Sequence, residues 1–448
     1  MRHSEGFCTP ASALLFAIGL ICLAPIEASA LPSFAVQTGQ PCQACHVGGL
    51  GPQLTPFGRE FKLHGYAART VGFSLPLTAF AVASYVRTGK DQPTPPAPGF
   101  SANDNIAIDQ VSLFLAGGFG PHLGAFVQGT YDGVGKSFTW DNVDARTVAK
   151  TTLSGFDTVL GLSLNNSPTV QDAFNTLPAW GFPYSRSNLG PTPSAAPLMG
   201  SFAQNTLGLT GYAWINDQLY LELGAYRSLG AGFLIHAGVD PFSPGKINGF
   251  APYARIAYQR NIGDQNFSIG AFGMSARLFP GRDESVGMTD RYADVGVDGS
   301  FQYFADNRDV VSVNARYTYE RQRLNASRAL GLARNASGNL QDLRFDVSYY
   351  WRNKIGLTTQ LFKTWGSRDD LLYAANRTLR PDSSGLTLQL DGTPYGDGRS
   401  PLGPRFNLRV GIQYTAYFTF NGAGGNFDGL GRNAADNNTL RVFSWIYY

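Results

Sequence analysis

Three stretches in the later half of the chain alternate apolar and polar side chains without a break. Along 311–319, Val311, Val313, Ala315, Tyr317 and Tyr319 interleave with Ser312, Asn314, Arg316 and Thr318. Along 343–351, Leu343, Phe345, Val347, Tyr349 and Trp351 interleave with Arg344, Asp346, Ser348 and Tyr350. Along 406–420, Phe406, Leu408, Val410, Ile412, Tyr414, Ala416, Phe418 and Phe420 oppose Asn407, Arg409, Gln413 and Thr415. A period of two assigns each set to one face of a strand. One face suits lipid and the other suits water, the alternation of a membrane β-barrel.

Read this way, the chain holds sixteen strands. They are 72–88, 105–118, 121–132, 138–149, 154–165, 204–216, 217–229 and 251–262, then 265–279, 291–304, 308–323, 339–352, 354–366, 383–392, 404–421 and 438–448. An even number is expected of a bacterial barrel. Short turns such as Asn216-Asp217, Gly263-Asp264 and Arg352-Asn353 alternate with the long connections 89–104, 166–203, 230–250, 324–338, 367–382 and 422–437. Short periplasmic turns and long external loops make that pattern, and they put the N-terminus on the periplasmic side. The 393–403 connection is longer than the pattern asks. A soluble sandwich would also alternate, but it would not carry so many aromatics on one face with so few charges. Aromatics are 13% and charged residues 15% of this chain, with 53 glycines. Closure also removes the edges that an open sheet would leave in lipid.

The N-terminus reads as a secretory signal over 1–30. Ala13–Ala24 is a twelve-residue apolar run, followed by Ala28-Ser29-Ala30. Such a run is too short to span a membrane and has a small-residue cleavage site after it. No second long apolar run follows, so a helical membrane protein and a cytosolic enzyme are excluded. Beyond it the chain carries 34 basic and 30 acidic residues, a net charge of +4 that gives no support to nucleic-acid binding. A lipoprotein reading through Cys22 is weak, because Gly19-Leu20-Ile21 is a poor lipidation approach.

Past the signal only Cys42 and Cys45 remain, in Cys42-Gln43-Ala44-Cys45-His46. This is the C-x-x-C-H pattern of c-type haem attachment, with two thioether cysteines and a proximal histidine. A zinc site would need further ligands, and a redox pair would need a thioredoxin-like context. The cofactor expected is one covalent haem c. The segment 31–69 is too short to bury a core unaided. The barrel lumen or its periplasmic mouth is therefore expected to complete the haem pocket. The fold read from the sequence is all-β: a 16-stranded antiparallel transmembrane β-barrel over 70–448, preceded by a short N-terminal haem segment.

Further residues carry a resemblance. Pro32-Ser33-Phe34-Ala35, Gln37-Thr38-Gly39, the C-x-x-C-H, and Leu54-Thr55-Pro56-Phe57-Gly58-Arg59 with Phe61-Lys62-Leu63 and Gly65-Tyr66 resemble the fused outer-membrane cytochrome–porins. The stretch Asn165–Pro183 is also similar to that broader family. The resemblance implies a monohaem cytochrome joined to a barrel in the Gram-negative outer membrane, akin to the Fe(II) oxidases of iron-oxidising bacteria. His46 carries over as the proximal ligand.

For the distal position, His64 is the first candidate and Met199 the second. His122 in a turn and His236 in an external loop read as solvated. Arg59 and Lys62 are candidate contacts for the haem propionates, since paired cations suit carboxylates. No acid/base or nucleophile motif stands out. Asp369-Asp370 and the pair Asp306 and Asp309 read as solvated loop carboxylates. The expected function is electron transfer across the outer membrane. An extracellular one-electron donor, Fe(II) in the resembled family, would reduce the haem, and a periplasmic electron-carrier cytochrome would take the electron. The partners expected are those two and the membrane lipid. The rivals are a diffusion pore with a haem-bearing plug, its 166–203 loop folded inward as a constriction, and an outward conduit to an external acceptor.

Overall fold

The computed structural model describes residues 32–70, 72, 75–402 and 405–448. The signal assigned to 1–30 lies outside the described residues. The strands in chain order are β1 (Leu77–Thr88), β2 (Asn105–Gly118), β3 (Leu123–Asp132), β4 (Ser137–Leu153), β5 (Phe156–Asn165) and β6 (Thr206–Ile215). Next come β7 (Leu219–Ser228), β8 (Lys246–Ile247), β9 (Ala251–Ile262), β10 (Gln265–Phe279), β11 (Asp290–Phe304) and β12 (Val310–Arg323). The last are β13 (Ser337–Trp351), β14 (Ile355–Gly366), β15 (Ser383–Gly392), β16 (Asn407–Thr419) and β17 (Thr439–Tyr447).

Every neighbour pairing is antiparallel, and β1 pairs with both β2 and β17, so the sheet closes on itself. The two-residue β8 only extends the ladder beyond β9, against Leu278 and Phe279 of β10. The wall is therefore a 16-strand ring. Closure satisfies every strand edge, which lipid requires. The outer face is apolar: Leu223 is 70% exposed and Ile269 66% exposed, with Leu113, Val297, Phe345, Trp351, Leu390 and Ile412 also outward. The inner face carries Arg316, Arg344, Asp346 and Arg409, the lumen charges that the alternation predicts.

Four strands keep their expected limits, and the others differ by a few residues. The first starts at Leu77 and not at 72, just past Pro76, which has no N–H for a ladder. The largest difference in facing is at Phe420. The β15–β16 register shifts between Ser384 and Gly385, and β16 ends at Thr419. Phe420 thus leaves the lipid face expected for it and is only 4% exposed, packed with Phe427 and Ala434.

Candidate functional site

The chain before β1 is a small plug held against the inner wall. It contains helix α1 (Pro32–Thr38), the single turn α2 (Cys42–Cys45) and helix α3 (Pro56–Leu63). The His46 N–H closes α2 on the Cys42 carbonyl at 2.9 Å, so the two thiols and the imidazole come from one turn of chain. Thr55 caps α3, accepting from the Gly58 N–H at 3.2 Å, with Pro56 in the first helical position. The Thr55 hydroxyl also donates to the Ala44 carbonyl at 2.5 Å, which ties the cap to the cysteine turn. Gly58 lies directly on that turn: a Cβ there would collide with the Cys45 carbonyl oxygen.

The wall grips the plug from many sides. The Tyr212 hydroxyl donates to the Leu63 carbonyl at 2.7 Å and the Gln53 amide to Ser312 at 2.6 Å. Arg409 donates to the Leu50 carbonyl at 2.6 Å, and the Tyr66 hydroxyl to Asp144 at 2.7 Å. The long 393–406 connection has its reason here. The Gln43 N–H donates to the Gly396 carbonyl at 3.0 Å, and a Cβ on Gly49 would lie 3.0 Å from the Gly396 Cα. A short turn could not reach under the plug.

Above the plug, the 166–203 loop folds inward. Asp172 pairs with Arg255 at 3.3 Å, Met199 N–H donates to Asp294 at 2.8 Å, and the Gln360 amide donates to the Phe182 carbonyl at 2.7 Å. Plug and loop also touch: Leu54 N–H donates to Asn175 Oδ1 at 2.8 Å, and Asn175 Nδ2 to the Pro52 carbonyl at 2.6 Å.

Between plug, loop and wall lies a cavity of about 420 Å³. Cys42, Cys45 and His46 line it together with Phe34, Phe61, Tyr66, Trp180, Tyr184 and Arg186. Both thiols are free. Burial pushes the Cys42 thiol up to about 12 and the Cys45 thiol to about 11, the opposite of a reactive thiolate. Burial lowers His46 to about 4, so its imidazole is neutral with a lone pair free to donate. Its Nδ1 is buried with no hydrogen-bond partner among the described residues. Two protonated thiols, a neutral imidazole with an orphaned nitrogen and an aromatic wall fit a covalently attached, largely apolar macrocycle with an iron centre. Among the described residues no group of three His, Cys, Asp or Glu side chains forms a separate metal site.

The remaining sequence candidates fall elsewhere, with one exception. Lys62 lines the cavity, but its ammonium donates to the Val170 and Asp172 carbonyls at 2.7 and 2.8 Å. Burial lowers it to about 7. Arg59 does not line the cavity. Its guanidinium donates to Gln259 at 3.0 Å, Asn266 at 2.6 Å and Ser300 at 3.3 Å, so it anchors α3 to the wall instead of awaiting a carboxylate. His64 ends α3 with Nδ1 2.8 Å from the Glu60 carbonyl, and it is not among the cavity-lining residues. Met199 packs with Leu177 and Phe202 and lines a second cavity of about 230 Å³ on the loop's other side. His122 and His236 are exposed. Asp369 is buried, not solvated, because it accepts the N–H groups of Arg334, Asn335, Leu371 and Leu372.

Sequence reasoning missed Trp180, Tyr184 and Arg186 as cavity residues. The family-like stretch Asn165–Pro183 was the available signal, and its Asn175, Pro178 and Trp180 do line the cavity.

No protein-family model matches the chain, and no curated protein matches its sequence. Among solved structures, Pseudomonas putida OprB at high pH aligns with a TM-score of 0.51 at 11% identity, covering 83% of this chain and 92% of that one. The outer membrane channel DcaP of Acinetobacter baumannii aligns at 0.44 and 11% identity, covering 83% and 96%. Salmonella typhi OmpF in complex with daunomycin aligns at 0.43 and 14% identity, covering 83% and 97%. The OprB likeness is one of fold. The closed ring and its apolar outer belt make this chain a porin-type β-barrel of the Gram-negative outer membrane.

Proposed function

We propose that this porin-type barrel carries one haem c on Cys42 and Cys45, with His46 on the iron, and passes electrons across the outer membrane. The observation that carries the reading is the meeting of Cys42, Cys45 and His46 on one wall of an aromatic cavity inside the lumen. When bound, the haem supplies a one-electron carrier partway across an insulating layer about 30 Å thick. The chain's own residues do the rest. Asn407 donates to the Cys42 sulfur at 3.0 Å and to the Gly49 carbonyl at 3.1 Å, which fixes the attachment turn. Phe34 stacks on Tyr66 with 5.3 Å between ring centroids, and Phe61 meets Phe34 edge-on at 5.0 Å. These rings and Trp180 give the cavity its apolar lining. The inward loop forms one side of it with Trp180, Tyr184 and Arg186.

The direction proposed is inward: an extracellular one-electron donor such as Fe(II) on one side, a periplasmic cytochrome on the other. The test uses intact cells making the protein. Fe(II) is added without oxygen and the reduced c-haem absorption band is followed, with a Cys42→Ala/Cys45→Ala strain as control. Reduction in the wild type alone is expected. A wild-type protein without covalent haem would sink the proposal, and a haem that dithionite reduces but Fe(II) does not would remove iron as the donor.

A second reading, a diffusion channel, is favoured by one feature. The two lumen cavities share Asn175, Pro178, Gly181 and Arg186, so only a thin partition of loop separates them. Conductance in planar bilayers separates the readings: a plugged conduit passes little current and an open pore much.

A further inference from the structure

We infer that Arg186 is the residue that holds a carboxylate in the lumen cavity, namely a propionate of the haem. This rests on the haem reading above and names a residue that neither motif nor spacing singled out.

Other lumen arginines have carboxylate partners. Arg146 pairs with Asp144 at 2.8 Å, Arg409 with Asp391 at 2.8 Å and Arg441 with Asp109 at 2.7 Å. Arg255 pairs with Asp172 and Asp298, and both Arg316 and Arg344 pair with Asp342 at 2.9 and 2.7 Å. Buried cations need such partners, because taking an unpaired charge from water costs several kcal/mol. Arg186 differs: it is exposed, and it faces the lumen space instead of a carboxylate. It makes no hydrogen bond and no ion pair with any described residue, yet it lines both cavities.

Its charged surroundings sharpen the point. Its desolvated position deep in the lumen lowers its proton affinity, and the like charges of Arg344 and Arg316 lower it further, with Tyr417 and Asp342 opposing. Asp342 is already divided between two arginines. Asp346, also on the second cavity's wall, accepts from the Asn314 amide at 2.8 Å. Asp141, which lines the same cavity, accepts from Thr130 and Gln204, so Arg186 faces the space beside Cys42, Cys45 and His46 with no carboxylate of the described residues paired to it. A guanidinium presents a planar fork that matches a carboxylate in two parallel hydrogen bonds. Haem brings two carboxylates that cannot stay buried unpaired. Arg59, spent on Gln259, Asn266 and Ser300, is not placed to take them.

The experiment compares the purified full-length protein with Arg186→Gln and Arg186→Lys. Covalent haem is measured in each after reduction, folded barrel is checked in each, and the midpoint potential is read by titration. Loss of a positive charge beside a propionate disfavours the more negative, reduced haem. The expected result for Arg186→Gln is normal haem attachment with a roughly tenfold fall in the reduction equilibrium, about 59 mV for one electron. Arg186→Lys restores most of it. A reduction equilibrium for Arg186→Gln within threefold of wild type, with haem attached and barrel folded, overturns the assignment and leaves the haem reading standing. A wild type that carries no covalent haem overturns both. Loss of anion selectivity in bilayers with the potential unchanged assigns Arg186 to a free carboxylate from outside, and it too overturns the propionate.

Discussion

Replacing Asp172 by Ala should loosen the inward loop without unfolding the barrel. Its carboxylate and the Arg255 guanidinium are fully buried 3.3 Å apart, and it also accepts the N–H groups of Phe174, Thr176 and Leu177 at 3.0, 3.2 and 3.3 Å. Removing one partner of a buried pair costs about 3–5 kcal/mol, mostly because the other charge is stranded. Arg255 keeps Asp298 at 3.0 Å, so the lower end applies. About 3 kcal/mol corresponds to roughly a hundredfold rise in the population of released loops. In planar bilayers the frequency of open events should rise by that factor, while denaturant unfolding of the strands barely moves. Open events within threefold of wild type, in a barrel shown to be folded, would refute the claim that this ion pair holds the loop in the lumen.

Other outcomes follow from the same geometry. His64→Ala should leave the reduced haem spectrum unchanged, because its ring does not line the cavity; a shifted band on spectroscopy would reinstate it as a ligand. Gly58→Val should cut covalent haem loading several-fold, measured as haem per barrel, since any Cβ there meets the Cys45 carbonyl. Leu223→Arg, at the middle of β7 on the lipid face, should destabilise folding into vesicles by about 2–4 kcal/mol in urea titrations. A change below about 0.5 kcal/mol would contradict the lipid-facing assignment.

An asymmetry between wall and site runs through the molecule. The alternation of Val311, Val313 and Tyr317 with Ser312, Asn314 and Thr318 is a local property. Any strand with one wet and one oily face displays it, and turn lengths then dictate which ends meet. The ring, its facing and, to within a few residues, its strand limits were therefore legible along the chain. Where the ladder slips, as before Phe420, one inserted residue reverses the facing, and only the pairing with β15 reveals it. The Cys42-x-x-Cys45-His46 turn was legible too, because one turn of backbone brings its three side chains together. The rest of the site is assembled from residues far apart in sequence. Arg59 and Lys62 looked like partners for a carboxylate until wall residues and loop carbonyls were found to occupy them. Arg186 carried no signal along the chain, and folding placed it on the walls of both lumen cavities, with Asp342 already paired to Arg316 and Arg344. Sequence by itself determined the wall and the Cys-x-x-Cys-His turn, since both rest on neighbours within a few residues. Which cations are spent and which one is left over was decided by tertiary structure, because charge pairing inside a closed lumen depends on distances across the barrel.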